Sequence, residues 1–206
     1  MLGDNEEFVC TGCRHDLPVT NFHFENPDQV KKVFYGRVEL ENATSLLRFQ
    51  KKGKVQRLLH NLKYKGYQEV GEFLGAWLGE ELKTIDLYKD IDVVIPVPLH
   101  KRKLKKRGYN QVSIFAKELA KSLRAECIES VLIKISDTKS QVNKSRLARW
   151  TASNEIFSIQ NLGQIHNKHI LLVDDIITTG ATIEACSNQL LKAKNVKISV
   201  ASMAIA

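Results

Sequence analysis

The chain has 206 residues, of which 43% are hydrophobic and 26% charged, and its formal net charge at pH 7 is +8. This composition is typical of a globular protein and excludes a collagen-like, low-complexity or largely disordered chain. No apolar run approaches the roughly 18 residues that indicate a membrane-spanning helix. The first residues also lack the basic start and apolar centre of a secretory signal. We therefore expect a cytoplasmic protein with no membrane partner.

Apolar residues recur along the chain at spacings that alternate between strand and helix. The predicted strands are at 44–49, 93–97, 131–135, 170–173 and 196–201, and the predicted helices are at 55–62, 70–78, 112–123 and 181–194. Continuous apolar strands separated by helices indicate an α/β fold, a parallel sheet with helices on both faces. Ligands bind beyond the carboxyl ends of such strands. We therefore expect a site at the turn after Val173, the loop after Val97 or the polar stretch after Ile135.

The turn after Val173 carries the densest chemistry in the sequence. Asp174 and Asp175 come first, two apolar residues follow, and the run closes with Thr178, Thr179, Gly180, Ala181 and Thr182. Two adjacent carboxylates are costly in a core, so we expect them to project into a solvated site. The hydroxyls and amides at the start of a helix form a cradle for a phosphate. Together these groups predict a site for a ribose 5-phosphate.

Residues 170–182 resemble, at all thirteen positions, the binding motif of the type I phosphoribosyltransferases. The resemblance implies the type I phosphoribosyltransferase-like fold. It also implies that Asp174 and Asp175 engage the ribose hydroxyls of phosphoribosyl pyrophosphate (PRPP), directly or through Mg²⁺. Thr178 to Thr182 would hold the 5′-phosphate.

Further segments resemble the ComF-type, competence-associated branch of that family. They are Ile95 to His100, Arg107 to Gln111, Val55 to His60 and Gln68 to Gly71. The resemblance implies a partial zinc-ribbon-like segment at 1–33, a hood-like subdomain with two helices at 34–85, and a phosphoribosyltransferase core at 86–206. It also implies a mobile loop that contains Gln141, Arg146 and Arg149.

The N-terminal cysteines provide only part of a metal site. Cys10 and Cys13 form a Cys-x-x-Cys sequence that resembles the second half of the family's zinc ribbon. A structural Zn²⁺ site needs four ligands, so this pair supplies half of one. Either His15 and His23 complete the site, or a first pair lies upstream, or the metal has been lost.

A basic run follows the strand at 93–97. It includes Leu99, His100, Lys101, Arg102 and Arg107, and residues 100–107 carry six Lys and Arg side chains. One interpretation is a loop whose amides and cations stabilise departing pyrophosphate. Catalytic family members usually place small residues there, whereas this chain has no glycine between Pro98 and Gly108. A contact with nucleic-acid phosphates and a merely solvated face are the alternatives.

Two functions therefore remain open. In the first, the chain binds Mg²⁺-PRPP or a nucleoside 5′-monophosphate and transfers the phosphoribosyl group with release of pyrophosphate. Alternatively, it is a non-catalytic accessory protein of DNA uptake or recombination that binds single-stranded DNA and a helicase-type partner. The sequence does not indicate the acceptor of a transfer reaction.

Overall fold

The computed structural model describes residues 9–135 and 156–206. Its α-helices are α1 (Thr11–His15), α2 (Phe22–Glu25), α3 (Lys54–Tyr64), α4 (Glu69–Leu82), α5 (Lys101–Arg107), α6 (Ser113–Leu123) and α7 (Ala181–Leu190). Its strands are β1 (Ala43–Arg48), β2 (Val93–Pro96), β3 (Glu126–Cys127), β4 (Leu132–Lys134), β5 (Phe157–Ile159), β6 (His169–Ile177) and β7 (Lys197–Ile205). Short 3₁₀ turns lie at Lys31–Phe34, Asp86–Tyr88 and Leu162–Ile165. None of the described helices is long and apolar enough to cross a bilayer.

Five strands form a parallel sheet in the order β1-β7-β6-β2-β3. This confirms the predicted α/β fold. Pairing of β2 with β6 stops at Pro96 opposite Val173, whereas pairing of β6 with β7 continues to Ile177 opposite Ile205. The last four residues of β6 therefore extend beyond the end of β2. They lie beside the segment that follows β2.

Alternate residues of the central strands enter two cores on opposite faces of the sheet. Val94 and Leu171 pack with α3, α4 and α6 on one face. Ile95 and Leu172 pack with α7 and the β4–β5 pair on the other. The period of two follows from strand geometry, and it confirms that the sheet is covered on both faces.

Helices α4 and α6 approach each other closely on the first face. A Cβ at position 75 would lie 2.8 Å from the carbonyl oxygen of Phe115, so only glycine fits at this crossing. This packing fixes α6, and with it the segment that leads from α5 into α6. That segment carries Gln111, one of the residues of the site.

One predicted strand has a different place in the fold. Residues 131–135 were expected in the parallel sheet, but β4 pairs antiparallel with β5 in a separate two-stranded sheet. The edge position beside β2 belongs to the two-residue strand β3 instead. A strand this short leaves no periodic pattern in the sequence.

Candidate functional site

The two acidic residues lie within β6 and are not in a solvated turn. Only 9% of Asp174 and 6% of Asp175 is exposed, so the expectation of a solvated pair is wrong. The apolar run ends at Val173, but the ladder with β7 continues to Ile177 and keeps both carboxylates inside the strand. A buried carboxylate needs a partner or a proton, and each of the two acids satisfies this need differently.

Asp175 is paired with a cation and an amide. The Lys63 ammonium, in the last turn of α3, donates to Oδ1 at 2.8 Å. The Gln111 side-chain amide donates to Oδ2 at 2.5 Å, and Arg107 donates in turn to the Gln111 carbonyl oxygen. Asp175 is therefore held in one orientation by a cation from α3 and an amide from the segment between α5 and α6. Lys63 was not among the residues predicted for the site.

Asp174 has no such cation. Its Oδ1 accepts the backbone N–H of Asp175 at 2.8 Å. Burial, together with the negative charge of Asp175, raises the pKa of Asp174 to about 8. Near neutral pH the carboxyl of Asp174 therefore keeps its proton, and it gives up this proton when a cation or a hydroxyl donor arrives.

The phosphate turn, residues 178–182, connects β6 to α7. Thr178, Thr179 and Ala181 are exposed and Thr182 is half-buried, so hydroxyls and the first amides of a ten-residue helix reach solvent together. Gly180 precedes the helix with φ of 74°, a left-handed conformation that favours glycine. The predicted residues are thus brought together at the start of a helix, where exposed hydroxyls and amides can donate to an anion.

An arginine from the N-terminal part supports this turn. The Arg37 guanidinium donates to the carbonyl oxygen of Thr179 at 2.5 Å and, through Nε, to Glu184 of α7 at 2.9 Å. It therefore ties the turn to the first part of the helix. Positions 37 and 179 are far apart in sequence, and no local pattern predicts this contact.

The basic run forms a helix, so the expected loop of exposed amides is wrong. His100 caps α5, with its Nδ1 accepting the Arg102 N–H at 3.3 Å, and Gly108 ends the helix with φ of 86°. Lys and Arg are good helix formers. Cations in the last turn of a helix also interact favourably with the negative end of the helix dipole. Because the backbone amides beyond the first turn bond within the helix, ligands contact this segment mainly through its side chains.

A cleft of about 560 Å³ separates α5 from the end of α3. We call it the basic cleft, and its cationic lining consists of Lys63, Arg102, Lys103, Lys106 and Arg107. Tyr64 and Tyr109 complete the aromatic part of its wall. Of the predicted basic residues, Arg102 and Arg107 line this cleft, while Leu99 and Lys101 line a neighbouring groove.

The cysteine pair is in place, but the metal site is incomplete in the part of the chain that the structure describes. Cys10 caps α1 and its Sγ accepts the Cys13 N–H at 3.3 Å. Residues 9–135 and 156–206 contain no group of three or more His, Cys, Asp and Glu side chains that could hold a metal. His23 is buried and contacts Thr44 and Glu81 instead. The predicted loop residues Gln141, Arg146 and Arg149 lie outside the described residues.

Known proteins that resemble this chain match the part that contains β6 and the phosphate turn. A family model described as a phosphoribosyl transferase domain matches residues 111–206. The chain is 29% identical to Competence protein F of Haemophilus influenzae over 102 residues, which are 49% of this chain and 44% of that protein. It is 26% identical to DNA utilization protein YhgH of Escherichia coli over 139 residues, 66% of this chain and 60% of that protein.

Competence protein ComFC of Bacillus subtilis is 27% identical over 144 residues, 67% of this chain and 54% of that protein. The matches with these three relatives thus span between 44% and 60% of their lengths. Among solved structures, glutamine PRPP amidotransferase from B. subtilis matches with a TM-score of 0.44 and 19% identity, over 64% of this chain and 26% of that chain. Adenine phosphoribosyltransferase from Leishmania tarentolae matches with a TM-score of 0.43 and 12% identity, over 82% of this chain and 93% of that chain.

The parallel sheet, the acid pair near the end of β6 and the threonine-rich turn after it define a phosphoribosyltransferase-type domain. Together with relatives named for competence and DNA utilization, the match of residues 111–206 supports a ComF-type member of the phosphoribosyltransferase family.

Proposed function

We propose that this protein binds Mg²⁺-PRPP or a nucleoside 5′-monophosphate between β6 and α7. The observation that supports this most directly is the order of groups along one short segment. Asp174 and Asp175 stand in β6, and the phosphate turn begins three residues after Asp175. A sugar phosphate has its hydroxyls and its phosphate at opposite ends of the ribose, so the two parts of the segment match the two ends of the ligand.

The two parts of the site have separate tasks in this proposal. Amides and hydroxyls of the phosphate turn bind the 5′-phosphate, assisted by the start of α7. The carboxylates accept hydrogen bonds from the ribose hydroxyls. Carboxylate oxygens are also the ligands that Mg²⁺ prefers, so Asp174 and Asp175 are the residues that would hold this ion together with the phosphates of PRPP.

Transfer of the phosphoribosyl group would break the bond between C1 of the ribose and the pyrophosphate oxygen. Positive charge develops at C1 while the pyrophosphate leaves with the bonding electrons. The protein's contribution is to position the sugar and to stabilise the leaving anion. Lys63, Arg102 and Arg107 lie on the α3 and α5 side of Asp175 and supply the cations. The acceptor is not part of the proposal.

Calorimetric titration with PRPP and Mg²⁺, with ribose 5-phosphate and AMP as comparators, tests the proposal. We expect saturable binding that disappears in the double variant Asp174→Asn/Asp175→Asn. Asp86→Asn is the matched control, because Asp86 is exposed and pairs only with Lys89 among the described residues. Unchanged binding in the double variant, or no binding by the unmodified protein, would contradict the proposal.

A second candidate function is supported by the relatives' names and by α5. Competence and DNA utilization proteins are among the relatives, and α5 places six cations on seven residues. In this proposal the protein is a non-catalytic accessory of DNA uptake that binds single-stranded DNA and a helicase-type partner. We expect Lys101→Glu/Arg102→Glu to abolish DNA binding, and we expect a steep decrease of affinity with salt in the unmodified protein. An unchanged affinity of this double variant for single-stranded DNA would exclude the second function.

A further inference from the structure

Both carboxylate oxygens of Asp175 are occupied by groups of the protein itself. The Lys63 ammonium bonds to Oδ1 at 2.8 Å, and the Gln111 amide donates to Oδ2 at 2.5 Å. Arg107 in turn bonds to Gln111 and holds its amide in place. The side chain of Asp175 is 8% exposed and that of Lys63 is 21% exposed, so water screens this ion pair weakly. A cation supplied by the fold therefore already sits on a carboxylate that Mg²⁺ would use.

An ammonium and a Mg²⁺ ion compete for the same oxygen of this carboxylate. Mg²⁺ needs oxygen ligands at about 2.0–2.1 Å in an octahedral arrangement. Two cations in contact with one carboxylate oxygen repel each other strongly where screening is weak. Lys63 must therefore leave Oδ1 of Asp175 before a metal ion can bind there. Its flexible side chain, in the last turn of α3, can move away only with the loss of the ion pair.

The rest of the acid pair offers few ligands to a free metal ion. Oδ1 of Asp174 accepts the backbone N–H of Asp175 at 2.8 Å. Residues 9–135 and 156–206 contain no group of three or more His, Cys, Asp and Glu side chains that could hold a metal. Mg²⁺ is usually bound by one or two carboxylates together with the phosphates of a ligand. A metal ion that arrives without phosphates therefore depends on Asp175, which Lys63 occupies.

The surroundings of Lys63 also disfavour a free metal ion. Lys63 lines the basic cleft, which contains four further cations. Clustered positive charge lowers the local concentration of other cations. A metal ion that is already bound to phosphates is not repelled in this way, because the phosphates outweigh its charge. Lys63 and its neighbours thus discriminate between a free metal ion and one that a ligand carries.

We propose that Lys63 determines the metal requirement of the site: it takes the place of a metal ion on Asp175 and keeps free Mg²⁺ off the acid pair. A sugar monophosphate, such as ribose 5-phosphate or a nucleoside 5′-monophosphate, then binds without a metal ion, because Asp175 already has its cation. In this role Lys63 acts on the acid pair and not on a departing pyrophosphate. The binding of the sugar phosphate rests on the proposed function, whereas the exclusion of free metal does not.

Titration with Mn²⁺, followed by the electron paramagnetic resonance of the free ion, tests the exclusion without any sugar ligand. Lys63→Gln keeps a hydrogen-bond donor but removes the charge, and Lys65→Gln, which removes an exposed charge nearby, is the matched control. We expect Lys63→Gln to bind Mn²⁺ about tenfold more tightly than the unmodified protein, and Lys65→Gln to change the affinity less than about twofold. Adding Asp175→Asn to Lys63→Gln should remove the gain, because both changes act on one contact.

Calorimetric titration with ribose 5-phosphate, once with EDTA and once with Mg²⁺, tests the metal requirement. We expect the unmodified protein to have the same affinity in both solutions. Lys63→Gln should bind about fivefold more weakly in EDTA, because Asp175 has lost its cation, and Mg²⁺ should restore the affinity. Lys63→Arg, which keeps the charge, should need no Mg²⁺. Circular dichroism confirms that each variant is folded.

The outcomes separate this proposal from the proposed function. Equal Mn²⁺ affinities of the unmodified protein and Lys63→Gln, or a gain that survives Asp175→Asn, would overturn the proposal. Binding of ribose 5-phosphate by the unmodified protein only with Mg²⁺ would overturn it as well, and this result needs no variant. A loss in Lys63→Gln that Mg²⁺ does not reverse would show that Lys63 does not replace a metal ion. If the unmodified protein binds no ribose 5-phosphate in either solution, the proposed function fails, and the Mn²⁺ titration alone decides on the exclusion of free metal.

Discussion

Gly180 lies against the ring of Phe34, and a Cβ at position 180 would be only 2.7 Å from Cε1 of that ring. The glycine in the middle of the phosphate turn is therefore packed on a side chain from the N-terminal part of the chain. Glycine is required at this position both by its φ of 74° and by this contact. The close approach suggests how the turn is held in place before any ligand arrives.

Gly180→Ala should lower the free energy of unfolding by about 1–3 kcal/mol, the usual range for overpacking and for a strained backbone. Urea denaturation followed by circular dichroism measures the change. Gly163→Ala is the matched control, since a Cβ there meets nothing within 4 Å. Equal stability of the two variants would show that the turn adapts without cost.

Arg37→Gln should weaken ribose 5-phosphate binding about fivefold, which corresponds to about 1 kcal/mol. The variant loses the bond to the Thr179 carbonyl and leaves the Glu184 carboxylate unpaired beside the phosphate turn. Adding Glu184→Gln should restore part of the affinity, because it removes that negative charge. Titration of both variants measures the effect, and a double variant no better than Arg37→Gln would argue for a purely structural role of Arg37.

Asp174 should make the protein less stable as the pH rises. Its folded pKa of about 8 lies above the ordinary value of 3.8. Between these values the folded state binds more protons than the unfolded state, so stability decreases with pH by up to about 1.4 kcal/mol per unit from this group. Below pH 3.8 both states are protonated and the contribution is constant.

The variant Asp174→Asn removes this titration. We expect its stability relative to the unmodified protein to increase between pH 5 and pH 8. Urea denaturation at both pH values measures this, with Asp86→Asn as the control at an exposed site. A relative stability that stays constant over this range would place the pKa of Asp174 near its ordinary value.

Glu81→Leu should destabilise the fold by about 2–4 kcal/mol, because it removes the shared acceptor of two groups. Glu81 accepts the indole N–H of Trp77 at 2.7 Å and contacts His23 Nε2 at 3.0 Å. Glu80→Leu, its exposed neighbour, is the control. Denaturation followed by tryptophan fluorescence provides the measurement, and similar values for both variants would show that the buried contacts contribute little.

Local patterns made the sheet and the phosphate turn predictable. The apolar runs at 93–97 and 170–173 and the residues after them are contiguous, so their order alone indicates strand, acids, turn and helix. The environment of the acids was not predictable. Burial of Asp174 depends on pairing with β7, and the ion pair of Asp175 depends on Lys63, which lies 112 positions away in sequence.

The helix α5 shows a different limit. Its consecutive cations have no apolar periodicity, which favours the interpretation as a loop. The signal that identifies it is at its ends, where His100 caps the first turn and Gly108 ends the last one. The three-segment division at 1–33, 34–85 and 86–206 stays a prediction, as does the role of Gln141, Arg146 and Arg149.

Strands β1 and β2 flank the two strands that meet at the binding motif, yet both precede residue 111, where the match to the phosphoribosyl transferase domain begins. A protein built from residues 111–206 alone would expose the edges of β6 and β7 and would lack Lys63, Phe34 and Arg37. The motif is encoded in the C-terminal half, but its charge balance and its support come from the N-terminal half. The two halves therefore form one structural unit, in which Phe34, Arg37 and Lys63 contact the binding motif directly.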